Sequence, residues 1–192
     1  MKKEAITSSN ERKNEPSFFS EFLKFVFLAV VVVLPIRIFI AQPFIVSGSS
    51  MNPTFENGEY LIIDEISYRF NEPERGDVIV FKFPQDKSKF FIKRIVGLPD
   101  ETVEIVNGQI EITNLENPEG LIIEEEYVLE KSLDDGMYAL ESDEYFVMGD
   151  NRKNSLDSRS WGPLPEEFIR GRAILRLLPV EKIGTFPGSI EK

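Results

Sequence analysis

The stretch T-V-E-I-V-N-G-Q-I-E-I-T, residues 102–113, decides the fold class. Val103 and Ile105 flank Glu104, and Ile110 and Ile112 flank Glu111. That period of two belongs to strands with one buried face. Asn107-Gly108 stands between the two runs, and both residue types tolerate the positive φ of a type I′ turn. The stretch therefore reads as a β-hairpin. The same grammar continues on either side. Short apolar runs at 60–64, 77–83 and 90–97 precede the hairpin, and runs at 121–123, 144–149 and 172–177 follow it. Turn residues such as Asn57-Gly58, Arg75-Gly76, Pro84 and Gly97-Leu98-Pro99 separate them. Residues 166–170, after Pro165, read as a short helical turn. Past residue 41 no long segment has helical period. These features predict a mainly β domain of sandwich or barrel type. Residues 107–140 hold the loosest and most acidic sequence and read as a small appended hairpin region.

Composition excludes several kinds of chemistry. The 192 residues include no cysteine and no histidine. Disulfides, thiol catalysis, imidazole metal ligands and a Ser-His-Asp triad are therefore ruled out. Only an all-oxygen metal site is left, and no loop has such spacing, so no metal and no cofactor is expected. A net charge of −11 argues against nucleic acid as a partner. The acidic excess, which includes Glu124, Glu125 and Glu126, reads as a solubilising surface.

Residues 1–17 are polar and read as a tail. Residues 18–41 contain an apolar core, 25–36, bracketed by Lys24 and Arg37. A spanning helix needs about 20 residues. The stretch 22–41 reaches that length when Lys24 and Arg37, which can snorkel, are counted in. A cleaved signal peptide would need small residues before its cleavage site, and bulky Phe39 stands two residues before Ala41. The segment therefore reads as a retained transmembrane anchor in a lipid bilayer. Lys2, Lys3, Arg12, Lys13 and Lys24 lie on its N-terminal side, and after Arg37 no basic residue appears until Arg69. The positive-inside rule then places the N-terminus in the cytoplasm and residues 42–192 on the extracytoplasmic side.

Just past the anchor, V-S-G-S-S-M-N-P-T-F (residues 46–55) offers Ser47, Ser49 and Ser50. In a chain without histidine, a nucleophilic serine needs another base. A neutral lysine can serve, provided that burial pulls its pKa down. Lys93, in F-F-I-K-R-I-V-G (90–97), shares one strand face with Phe91 and Ile95, while Arg94 falls on the other between Ile92 and Val96. Lys87 and Lys89 read as loop residues. A third segment, G-D-N-R-K-N-S-L-D-S-R-S-W-G-P-L-P (149–165), is dense in donors and acceptors and carries the only tryptophan. It reads as a partly buried hydrogen-bond network, in which Ser155 and Asp157 can orient a lysine or an arginine.

These segments, in this order, resemble type I signal peptidases of the short single-anchor bacterial form. Gly48-Ser49-Ser50-Met51-Asn52-Pro53-Thr54 is similar to the family's nucleophile segment, Arg75-Gly76-Asp77-Val78 to a strand entry, and Lys93 through Pro99 to its lysine strand. Gly149-Asp150-Asn151-Arg152, Asn154-Ser155, Asp157-Ser158-Arg159 and Trp161-Gly162 resemble its last block. Asp100-Glu101 departs from the usual Gly-Asp, and Lys153 stands where aspartate is common. Gly48 lacks the serine hydroxyl that helps bind the oxyanion in some relatives.

The resemblance implies a membrane-bound serine endopeptidase that cleaves exported preproteins after small residues at −1 and −3. It implies Ser50 as nucleophile, Lys93 as general base and the Ser50 backbone N–H as oxyanion donor. Ser155 would hold the Lys93 amine, and Asp157 with Arg159 would brace the loop. Phe44, Val46 and Met51 would line the substrate pocket. Self-cleaving regulators of the DNA damage response also pair serine with lysine, but the anchor and the 149–161 block speak against them.

Overall fold

The computed structural model describes residues 18–35 and 41–190, and the chain divides into two compact units between Arg37 and Ile38. In the first unit, helix α1 runs Phe18–Pro35. Its 18 residues rise only about 27 Å, and the hydrocarbon core of a bilayer is about 30 Å thick. Among the described residues, no helix is long and apolar enough to cross a membrane. The expected anchor continues into residues 36–40, which lie outside the described residues, as does the whole of the expected tail, 1–17.

The second unit is mainly β. Strands β1 (Ala41–Ile45), β2 (Tyr60–Asp64), β3 (Val78–Phe83) and β4 (Asp86–Gly97) come first. Strands β5 (Thr102–Val106), β6 (Gln109–Thr113), β7 (Leu121–Ile122) and β8 (Gly136–Ala139) follow. The chain ends with β9 (Glu144–Met148), helix α2 (Ser158–Trp161), β10 (Leu164–Pro165), β11 (Ile169–Leu178) and β12 (Gly184–Thr185). A short 3₁₀ turn, Glu166–Phe168, stands where the sequence predicts a helical turn. The strands form an eight-stranded sheet of order β1-β2-β11-β3-β4-β9-β10, with β12 against β11, and a four-stranded sheet of order β7-β6-β5-β8.

The β5–β6 hairpin keeps its expected register, with Val106 opposite Gln109, and Asn107 and Gly108 have φ of 50° and 72°. Strand β4 is longer than expected. It starts at Asp86, so Lys87 and Lys89 belong to a strand rather than a loop. The reason is a tight turn at Pro84-Gln85 that lets β3 and β4 pair out to Phe83↔Asp86.

The larger sheet is covered on both faces. On β3, Val78 and Val80 join a core with Met51, Phe55, Leu61 and Ile63. Ile79 and Phe81, on the opposite face, join Ile95, Val147 and Leu164. This is why β3 reads as an unbroken apolar run. The smaller sheet packs Val103, Ile105, Ile110 and Ile112 against Val96, Phe146 and Met148. Of Glu124, Glu125 and Glu126, Glu125 departs from the surface reading. The Glu125 side chain is buried and accepts from Arg152 Nη1 at 2.8 Å.

Candidate active site

The turn after β1 brings Ser50 to β4. Lys93 Nζ donates to Ser50 Oγ at 2.7 Å and to the Ile92 carbonyl at 2.8 Å. Of Ser47, Ser49 and Ser50, only Ser50 receives this bond. Lys93 is 4% exposed. Burial disfavours the ammonium and pulls the Lys93 pKa from the ordinary 10.5 down to about 8, against the opposing pull of Asp157 and Asp150. Once the amine is neutral, the same contact can run the other way, with the Ser50 hydroxyl donating to the nitrogen lone pair. The Ser50 backbone N–H finds no acceptor among the described residues, so it is available to a developing oxyanion.

Strands β4 and β9 pair directly, with Arg94 opposite Met148, so the segment that follows β9 emerges beside the dyad. There, Asn151 N donates to the Ser50 carbonyl at 3.0 Å and Asn151 Nδ2 donates to the Ser49 carbonyl at 3.1 Å. Asp157 is fully buried, accepts from Gly149 N at 3.1 Å and pairs with Arg159 Nε at 2.8 Å. Arg159 Nη2 also donates to the Arg152 carbonyl at 2.7 Å, so the pair braces the loop at two points.

Two expectations are corrected. Ser155 does not hydrogen-bond Lys93; its Oγ is buried without a partner, because the amine is directed at Ser50 and Ile92. It is nevertheless close by. A Cβ on Gly149 would lie 2.3 Å from Ser155 Oγ and 2.4 Å from the Ser50 carbonyl oxygen. Met51 does not line the cleft; it is 1% exposed and belongs to the core beside Phe55 and Leu61. Phe44 and Val46 do line it. The cleft has a volume of about 450 Å³, and Ile92, Phe91 and Leu156 add apolar wall around Ser50 and Lys93. Phe44 meets Phe90 edge-on across it, at 5.4 Å between ring centroids.

Strand alternation places Arg94 between Ile92 and Val96, on the face opposite Lys93, where a charge needs a partner. The structure answers with Asp150. Arg94 Nε and Nη2 grip both carboxylate oxygens, at 2.9 and 2.7 Å, and the Thr54 hydroxyl donates to the same carboxylate. The signal was present in the sequence: a guanidinium between Ile92 and Val96 needs a buried acid, and G-D-N at 149–151 supplies one.

Residues 19–178 match the family described as signal peptidase, peptidase S26. The chain belongs to this family. Signal peptidase I of Leptolyngbya laminosa is 41% identical over 85% of this chain and 82% of its own. Probable signal peptidase I-2 of Synechocystis is 34% identical over 100% of this chain and 89% of its own. Signal peptidase I P of Bacillus subtilis subsp. natto is 31% identical over 91% and 97%. The chain is thus a type I signal peptidase, a hydrolase of the protease class. The family's usual Gly-Asp is replaced here without loss of the turn. Asp100 takes φ of 62°, and Glu101, 5% exposed, accepts from Arg75 Nη2 at 2.7 Å and from Leu98 N at 2.8 Å.

Proposed function

We propose that this signal peptidase is a membrane-anchored serine endopeptidase working through a Ser50–Lys93 dyad. The 2.7 Å contact between Lys93 Nζ and Ser50 Oγ, on a lysine whose pKa burial has lowered, carries this reading. Neutral Lys93 takes the Ser50 proton as Oγ attacks the scissile carbonyl, then returns it to the departing amine. The same lysine activates the water that hydrolyses the acyl-enzyme. The Ser50 N–H stabilises the oxyanion, a role typically worth about 2.7–4 kcal/mol. The cleft's apolar wall and the Phe44–Phe90 pair suit an extended peptide with small side chains at −1 and −3.

Membrane attachment falls to the 18–41 segment. Phe18, Phe22, Phe25 and Phe27 of α1 are all exposed, and a helix this apolar needs an apolar surrounding. Ser50 follows Ala41 by a reach of roughly 30 Å at most. That short tether suits a substrate whose own apolar segment lies in the bilayer. The deciding experiment offers a preprotein to detergent-solubilised enzyme. Wild type and Ser49→Ala should cleave after a small residue, and Ser50→Ala and Lys93→Met should not. Cleavage by Ser50→Ala would overturn the dyad.

A further inference from the structure

We propose that residues 186–190, at the C-terminal end of the described chain, form a strap that positions the nucleophile turn from the side opposite Lys93. The strap meets the turn through Gly188. Arg94 Nη1 donates to the Gly188 carbonyl and to the Gly76 carbonyl, the latter at 2.8 Å. The rest of that guanidinium grips Asp150, which in turn holds Thr54, four residues past Ser50. An unbroken series of bonds thus runs from the strap through Arg94 and Asp150 to the turn that carries Ser50. Arg94 is 1% exposed, so water cannot replace a lost acceptor.

Shape supports the same assignment. A Cβ on Gly188 would lie 2.7 Å from Thr54 Cγ2, 3.1 Å from Phe55 Cε2 and 3.2 Å from Val78 Cγ2. Only a residue without a side chain lets the backbone approach the turn this closely, and its φ of +80° favours glycine again. The strap is itself fastened on both sides of Gly188. Phe186 N donates to the Ile174 carbonyl at 2.7 Å, and the Arg172 guanidinium covers the Phe186 ring at 4.9 Å. Beyond Gly188, Ile190 closes over Gly76; a Cβ there would lie 2.9 Å from Ile190 Cδ1. None of these groups lines the catalytic cleft. The strap therefore acts on the rate through the placement of Ser50, and leaves peptide binding alone.

The inference rests on Ser50 as the nucleophile. Its test uses the full chain in detergent, a chain ending at Phe186, and Gly188→Ala, each assayed for kcat, KM and thermal unfolding on a signal-peptide substrate. Both variants should lose about ten- to a hundred-fold in kcat, as small misplacements of a reacting group do, with KM within about threefold of wild type. Wild-type kcat in a folded variant would overturn the strap, as would a rise in KM at constant kcat. If the shortened chain fails to fold, Gly188→Ala decides by the same criteria. Ser50→Ala in the full chain separates the two readings. Residual activity there removes the nucleophile assignment, whereas a dead Ser50→Ala beside a fully active Gly188→Ala removes only the strap.

Discussion

Lys93 and Arg94 are neighbours on β4, point to opposite faces, and hold the same turn from two sides. Lys93 Nζ reaches Ser50 Oγ at 2.7 Å, and Arg94 reaches Asp150, which binds Thr54 in the same turn. One strand therefore supplies both the amine that the proposed dyad uses as base and the guanidinium through which the proposed strap holds the turn. Strand alternation makes this possible, since consecutive side chains leave on opposite sides. The two cations also differ in a way that suits their tasks. Arginine keeps its charge when buried, whereas lysine can lose it.

The pH dependence of cleavage follows from that loss. In the proposed dyad Lys93 acts as the neutral amine, and its pKa is lowered to about 8. Below that value the amine is mostly protonated, so kcat/KM should fall about tenfold per pH unit from pH 7 downward, and it should level off above pH 9. Initial rates on a peptide substrate across this range check it. A rate that is flat from pH 6 to 9 would contradict Lys93 as base.

Replacing Lys93 should make the fold more stable while abolishing activity. Folding lowers the lysine pKa from 10.5 to about 8, so the unfolded chain binds the proton more tightly. Below pH 8 this burial destabilises the native state by its full amount, roughly 3 kcal/mol, and the penalty disappears as pH rises from 8 to 10.5. Lys93→Met removes it, together with the two hydrogen bonds to Ser50 and Ile92, each worth about 1 kcal/mol. Denaturant unfolding at pH 7 should show a net gain of about 1 kcal/mol that disappears by pH 10. A variant less stable than wild type at pH 7 would show that the amine is better solvated than its burial implies.

Gly149→Ala should act on rate more than its size suggests. The added methyl meets the Ser50 carbonyl at 2.4 Å, and that contact is backbone, so the nucleophile turn itself must move. A loss of about ten- to a hundred-fold in kcat is expected. Overpacking should also lower stability by about 1–3 kcal/mol. Wild-type turnover would mean that the turn relaxes without carrying Ser50 away from Lys93.

Much of this molecule is legible one strand at a time. The runs at 60–64, 102–106 and 109–113 match β2, β5 and β6 because alternation and the Asn107-Gly108 turn are local signals. Strands β1, β8, β10 and β12 carry no such signal. Ala41–Ile45 carries Pro43 at an edge, Gly136–Ala139 is half exposed, and Leu164–Pro165 and Gly184–Thr185 are two residues long. What orders β1, β8 and β10 is a partner strand outside their own stretch, whereas β12 is too short to show a period and folds back on nearby β11. In the site, Ser50, Lys93, Asp157 and Arg159 are brought together as their residue types imply. Ser155 and Met51 differ from expectation because each depends on which way one side chain turns, and no spacing rule encodes that choice. The Arg94–Asp150 pair bridges 56 positions, so it appears only when β4 and the segment after β9 are seen side by side.

Asp100 offers a test of strain away from the chemistry. The residue holds φ of 62°, a left-handed conformation that L side chains adopt at a cost of roughly 1–2 kcal/mol, less for aspartate than for most. The turn around it is secured by Glu101, which takes Arg75 and Leu98 N, and nothing in that arrangement requires a side chain at position 100. Asp100→Gly should therefore relieve strain in the folded state while adding some freedom to the unfolded chain, for a net gain of about 0.5 kcal/mol. Cleavage kinetics should not change, since the turn touches neither Ser50 nor Lys93. Thermal and denaturant unfolding beside a kinetic assay decide it. A loss of stability would mean that the Asp100 side chain holds the turn in a way its exposure does not show, and a change in kcat would couple this turn to the dyad through β4.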